Sequence, residues 1–143
     1  MRTLARSLLL ALSLSTLVAS AGAAQTAEPA RPMRFQKVLD QALQDPELKG
    51  YTMQTQLAEL APLATDTVDH RHGAEVFGYI IDGAIVTQVN GGARTTYSAG
   101  QMFYEPRGAL HGHFENPSAD KPARVLILFL IKDGRPGYTR ERP

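Results

Sequence analysis

At 143 residues the chain has room for one hydrophobic core and no second domain of comparable size. Lys plus Arg number 15 against 14 Asp plus Glu, a near-balance that argues against a nucleic-acid binder and gives no reason to expect a membrane-surface protein. There is no cysteine, so disulfides, thiolate metal ligands and a cysteine nucleophile are excluded, and zinc-finger and iron–sulfur readings with them.

The chain opens with Arg2 and Arg6, an apolar run over residues 8–18 and small residues over 19–24. That order of charge, short apolar stretch and small-residue cleavage site predicts a secretory signal peptide over residues 1–24, cleaved after Ala23 or Ala24. The run is too short to span a bilayer comfortably, which takes about 20 residues. The expectation is an exported protein, periplasmic or secreted, with no stable membrane anchor after processing. Removing residues 1–24 deletes two arginines and no acids, moving the side-chain balance from +1 to −1.

Residues 25–50 read as a flexible lead-in followed by a short helix. Phe35, Val38, Leu39 and Ala42 fall at helical spacing, and Asp45-Pro46 ends the pattern. From Tyr51 the period shifts towards two. Apolar or β-branched runs at 76–81, 84–89, 94–97, 102–105, 111–114 and 125–131 alternate with turn signals. Asp82-Gly83 predicts a hairpin between the first two of these runs, and Asn90-Gly91-Gly92 and Pro106-Arg107-Gly108 predict later turns. Run 125–131 is apolar at both alternating sets and so is expected to be buried on both faces. Short strands at this spacing predict an all-β sandwich or barrel over residues 51–132, with a charged tail over 133–143 that wraps or frays.

All four histidines lie in two short segments, at His70, His72, His111 and His113. On a strand, His70 and His72 point to one side and Arg71 to the other. Glu75 follows Gly73-Ala74, where a small turn can bring its carboxylate back to the histidine side, and His111 can supply a further nitrogen from a later strand. Three imidazoles and a carboxylate suit one divalent transition ion (Fe, Mn, Cu, Ni, Co or Zn), with positions left open for water, dioxygen or a chelating substrate. The bland alternative for His-x-His alone is a pair of exposed or hydrogen-bonded strand residues. Clustering of every histidine beside a tight turn favours the metal.

These segments resemble the two motifs of the cupins. His70-Arg71-His72-Gly73-Ala74-Glu75, followed by Gly83, is similar to the first, whose pattern is His-x-His, a short gap, Glu, about six residues and Gly. Gly100, Pro106-x-Gly108, His111 and Asn116 are similar to the second. Two spacings depart from the pattern: the gap from His72 to Glu75 is one or two residues short, and that from His111 to Asn116 is one residue long. The resemblance covers residues 51–132 and implies an antiparallel double-stranded β-helix, or jelly-roll barrel, holding one metal through His70, His72, Glu75 and His111 near one mouth. It also implies a homodimer formed by strand exchange or sheet packing.

Around that centre, His113 is expected on the side of His111 if the strand is regular, as an acid–base residue, a substrate contact or a plain rim histidine. Phe77, Tyr79 and Ile81 share parity with Glu75, and with Met102 and Tyr104 they are the candidate pocket wall; their alternative is ordinary core. Arg107, in the turn before His111, is either solvated or placed to meet an anionic substrate. Resemblance to quercetin-dioxygenase-like small cupins implies a metal-dependent dioxygenase acting on a small organic molecule. A non-enzymatic binder of metal or small ligand, and a metal-dependent isomerase or lyase, stand as alternatives.

Overall fold

A computed structural model describes residues 32–141, so the signal-peptide segment lies outside the described residues. The alternating runs form β1 (Met33–Ala42), β2 (Tyr51–Leu60), β3 (Thr65–Asp66), β4 (His70–Arg71), β5 (Ala74–Asp82) and β6 (Ala84–Val89). They continue as β7 (Thr95–Ser98), β8 (Met102–Glu105), β9 (Leu110–Glu115), β10 (Ala123–Lys132) and β11 (Thr139–Arg140). One antiparallel sheet runs β1-β2-β10-β5-β8, and the other runs β11-β4-β9-β6-β7 with β3 also on β9. The all-β double-sheet expectation holds. Between the sheets lies one core that includes Leu60, Val76, Ile80, Ile85, Phe103, Phe114 and Val125.

The expected N-terminal helix is a strand. β1 pairs with β2 along its length, and the register slips between Lys37 and Leu39. Such a bulge inserts one extra residue, so the apolar positions Phe35 and Val38 fall three apart and imitate a helical period. Pairing to a neighbour then overrides a weak local preference. Asp45-Pro46 does mark a boundary: the Asp45 carboxylate accepts from Glu47 N at 2.9 Å and caps a single 3-10 turn, Pro46–Leu48.

Asp82-Gly83 is not a hairpin. β5 belongs to one sheet and β6 to the other, so this dipeptide turns a corner between sheets, with Gly83 alone at positive φ (73°). The hairpin lies one turn later, where Asn90 (φ 53°) and Gly91 (φ 66°) link β6 to β7. β10 is central, between β2 and β5. Its inward Val125, Ile127 and Ile131 are buried, whereas Leu126, Leu128 and Leu130 on the outer face are only half-buried, so burial on both faces is incomplete.

Asn116 keeps its structural place despite the longer spacing. It is fully buried, donates from Nδ2 to Ala61 O (3.1 Å) and Lys121 O (2.8 Å), and accepts from Ser118 N (3.0 Å). Gly78 faces Phe103 across the β5–β8 pair, and a Cβ there would stand 2.1 Å from the ring. Phe103 is 3% exposed and has little room to move. Gly78→Ala is expected to cost about 1–3 kcal/mol in urea unfolding, as overpacking does. A loss within measurement error would show that the ring swings aside freely.

Candidate metal centre

β4 lies against β9 so that His70 and His111 are direct cross-strand partners. His72 follows β4, and its ring centroid is 4.9 Å from that of His70. The His70 and His111 centroids are likewise 4.9 Å apart. One ring nitrogen from each of the three lies within 4.8 Å of the others. The structure therefore brings together the three histidines that the spacing nominated.

Their protons are assigned by neighbouring carbonyls, which can only accept. His70 Nδ1 donates to Val68 O (2.7 Å), His72 Nδ1 to Gly137 O (2.9 Å), and His111 Nε2 to His113 O (2.9 Å), with Thr87 Oγ1 also 2.9 Å from that nitrogen. In each ring, when neutral, the other nitrogen carries the lone pair. In His111 that atom is Nδ1, which is buried without a hydrogen-bond partner. Burial first, and His70 second, push the His111 pKa down to about 4. Burial, helped by His70, also lowers that of His72. Rings oriented by backbone acceptors, burial that favours the neutral form of His72 and His111, and an unpartnered Nδ1 on His111 are what a transition ion requires, so the residues fit a metal.

Glu75 is not with them. Ala74 and Val76 are buried inward-facing neighbours on β5, so Glu75 points to the outer face of its sheet. There it accepts from the Tyr104 hydroxyl and from Arg107 N at 3.2 Å. The short gap explains this: inward positions run His70, His72, Ala74, Val76, and a three-residue gap would have put the acid at 76. Phe77, Tyr79, Met102 and Tyr104 share the outer face, the last three being 39%, 51% and 50% exposed. They do not line the cavity. Their inward neighbours do: Val76, Phe103 and Glu105, with Ile127, Phe129 and Ile131 of β10, surround a space of about 410 Å³ into which His70 and His72 open.

His113 is corrected as well. β9 bulges against β6, with His113 opposite Gln88 and His111 opposite Val89, adjacent residues that face opposite ways. The strand is therefore irregular at Gly112, and Phe114 rather than His113 rejoins the core side. His113 is buried, lies 2.7 Å from Glu115 Oε2, and is not part of the cavity wall.

Two neighbours of the triad went unread in the sequence. Glu105 is 3% exposed, lines the cavity, and places Oε1 3.4 Å from His111 Nδ1. Burial pushes its pKa up to about 7. The parity that buries Phe103 was the available signal, since Glu105 shares it. The other is Tyr138, whose ring stacks on His70 at 4.6 Å and 26°. The tail wraps: β11 pairs with β4, and Gly73 N donates to Pro136 O (3.1 Å). No sequence period marks this, because the segment joins the site through backbone contacts.

An antiparallel jelly-roll with a histidine cluster at one end of its cavity defines a class, and the comparisons place the chain in it. The cupin domain model matches residues 56–129, and the chain belongs to the cupin family. Among solved structures it is similar to the Schizosaccharomyces pombe Cnp3 cupin domain, at 16% identity and TM-score 0.57 over 72% of this chain and 67% of that one. It is also similar to the polyketide cyclase RemF from Streptomyces resistomycificus, at 18% identity and TM-score 0.58 over 79% and 73%. A recombinant oxalate oxidase in complex with glycolate aligns at 22% identity and TM-score 0.57, over 79% of this chain and 56% of that one. These likenesses concern the fold. No curated protein matches the sequence significantly.

Proposed function

We propose that the chain is an exported, mononuclear metal-binding cupin acting as a dioxygenase-like oxidoreductase on a small organic molecule. The observation that carries this reading is the convergence of three histidines, each with one nitrogen committed to a protein acceptor, two of which, His70 and His72, open on a largely apolar cavity. His70, His72 and His111 would hold the ion. When bound, it would supply Lewis-acid and redox chemistry to a chelating substrate and dioxygen. The chain's own contribution is positional. The backbone carbonyls keep the rings in one tautomer, and Phe103, Ile127 and Phe129 keep water from the reacting face. Tyr138 shields His70 from the tail side.

Relatives named for oxalate oxidase and cyclase activities support a small-molecule substrate without selecting one. Among the described residues no helix is long and apolar enough to cross a membrane. Export rests on the composition of residues 1–24. A homodimer would cover the outer face bearing Leu126, Leu128, Tyr79 and Met102, and sedimentation of the mature chain at twice its mass would support it.

The deciding experiment measures dioxygen uptake by iron- or copper-loaded protein offered phenols, enediols and diketones. Substrate-dependent uptake is expected. Turnover of substrate without dioxygen would replace the reading by an isomerase or lyase, and stoichiometric ligand binding without turnover would replace it by a binding protein.

A further inference from the structure

We propose that Glu105 is the carboxylate ligand of this metal centre, taking the role that the outward-facing Glu75 cannot. The inference rests on the metal-binding reading above and names a residue of that site.

The first observation is register. Glu105 on β8 is the direct cross-strand partner of Val76 on β5. Position 76 is where a three-residue gap after His72 would have delivered an acid to the inside. Partners across an antiparallel pair have Cβ atoms about 5 Å apart on the same face. A carboxylate lost from one strand thus reappears opposite, at the same level of the barrel.

The second is surroundings. The carboxyl group is buried against the wall of the cavity that His70 and His72 line. Among the described residues its one ionic neighbour is the His111 ring. Among the described residues no lysine or arginine pairs with it, and a buried carboxylate without a positive partner is costly, so a cation in the cavity would stabilise it. The cavity's other acid, Asp66, already accepts from Val68 N at 2.8 Å. Glu75 is likewise engaged, by Tyr104 and Arg107 on the far side of the sheet.

The third is distance. Glu105 Oε1 stands 3.4 Å from His111 Nδ1, the nitrogen left with a lone pair. Two ligands each about 2.1 Å from one ion and set at tetrahedral angles are about 3.4 Å apart. Glu105 lies outside the group of three histidines whose ligand atoms stand within 4.8 Å of one another, so it would reach the ion from the His111 side.

The test loads the mature protein and its Glu105→Gln, Glu105→Asp and Glu75→Gln variants with Co²⁺. Affinity is read by chelator competition and coordination by the visible d–d absorption, after circular dichroism has confirmed the metal-free fold. Glu105→Gln is expected to weaken Co²⁺ binding about 100-fold and to change the band pattern. Glu105→Asp should bind with intermediate affinity, and Glu75→Gln should behave as wild type. Wild-type affinity and bands in Glu105→Gln, or an equal loss in Glu75→Gln, would overturn the assignment while leaving the histidine centre standing. Failure of the wild-type protein to take up Co²⁺, Fe²⁺ or Cu²⁺ at all would bring down both the assignment and the metal-binding reading.

Discussion

Replacing His72 or His111 by alanine is expected to abolish stoichiometric metal binding, with affinity falling at least about 100-fold. Among the described residues each ring supplies one of the three nitrogens that converge, and the fourth histidine, His113, faces away from the cavity. The two variants should differ in the metal-free state. His72 is half-buried and packs edge-on against Phe129 at 5.2 Å, so its loss trims the cavity rim. His111 is 5% exposed and its Nε2 serves both Thr87 and His113 O, so its removal also strands buried polar groups. That costs about 1–3 kcal/mol. Elemental analysis after dialysis, together with the rise in Tm on adding metal, checks both expectations. In wild type, free metal at 100 times its Kd adds about 2.7 kcal/mol of stability, and neither variant should gain it. Full occupancy in either variant would sink the ligand assignment.

What the sequence disclosed depended on whether a feature was carried by spacing or by register. His70, His72 and His111 were legible because their residue type is rare in this chain and period two fixes a shared face. The strands over 84–89 and 102–105 were legible because turn residues bound them on both sides. Failures came where one residue of slip reverses every side chain. The bulge at Lys37/Leu39 turned an edge strand into an apparent helix, and that at Gly112 moved His113 across the sheet. The short gap before Glu75 put the acid on the outer face, and reading β8 on the parity of Met102 rather than Phe103 hid Glu105. In each case the amino acids were visible and their facing was not, since facing is set by hydrogen-bond pairing to a strand distant in sequence. Tyr138 belongs to another kind: no local pattern says that a tail will return to the site.

In the metal-free protein, the stability of Glu105→Gln relative to wild type is expected to rise with pH. Glu105 has a folded pKa of about 7 against an ordinary 4.5, so its folded state holds a proton that the unfolded state gives up. Its contribution is therefore greatest below pH 4.5 and declines as pH rises towards 7. His111 has a folded pKa of about 4 against 6.5, so its contribution is present above pH 6.5 and is lost as pH falls towards 4. Between pH 4.5 and 6.5 the pair carries one proton in either state, on the glutamate when folded and on the histidine when unfolded. The two slopes, each about 1.4 kcal/mol per pH unit, then cancel. Glutamine removes one slope and leaves the other. The stability of Glu105→Gln relative to wild type should thus climb by about 3 kcal/mol between pH 4.5 and 7, the other titrating groups cancelling in the difference. Urea unfolding of both proteins in chelator across that range measures it. A difference that stays constant or falls with pH would mean that the buried carboxyl is already ionised without metal, held by another cationic group.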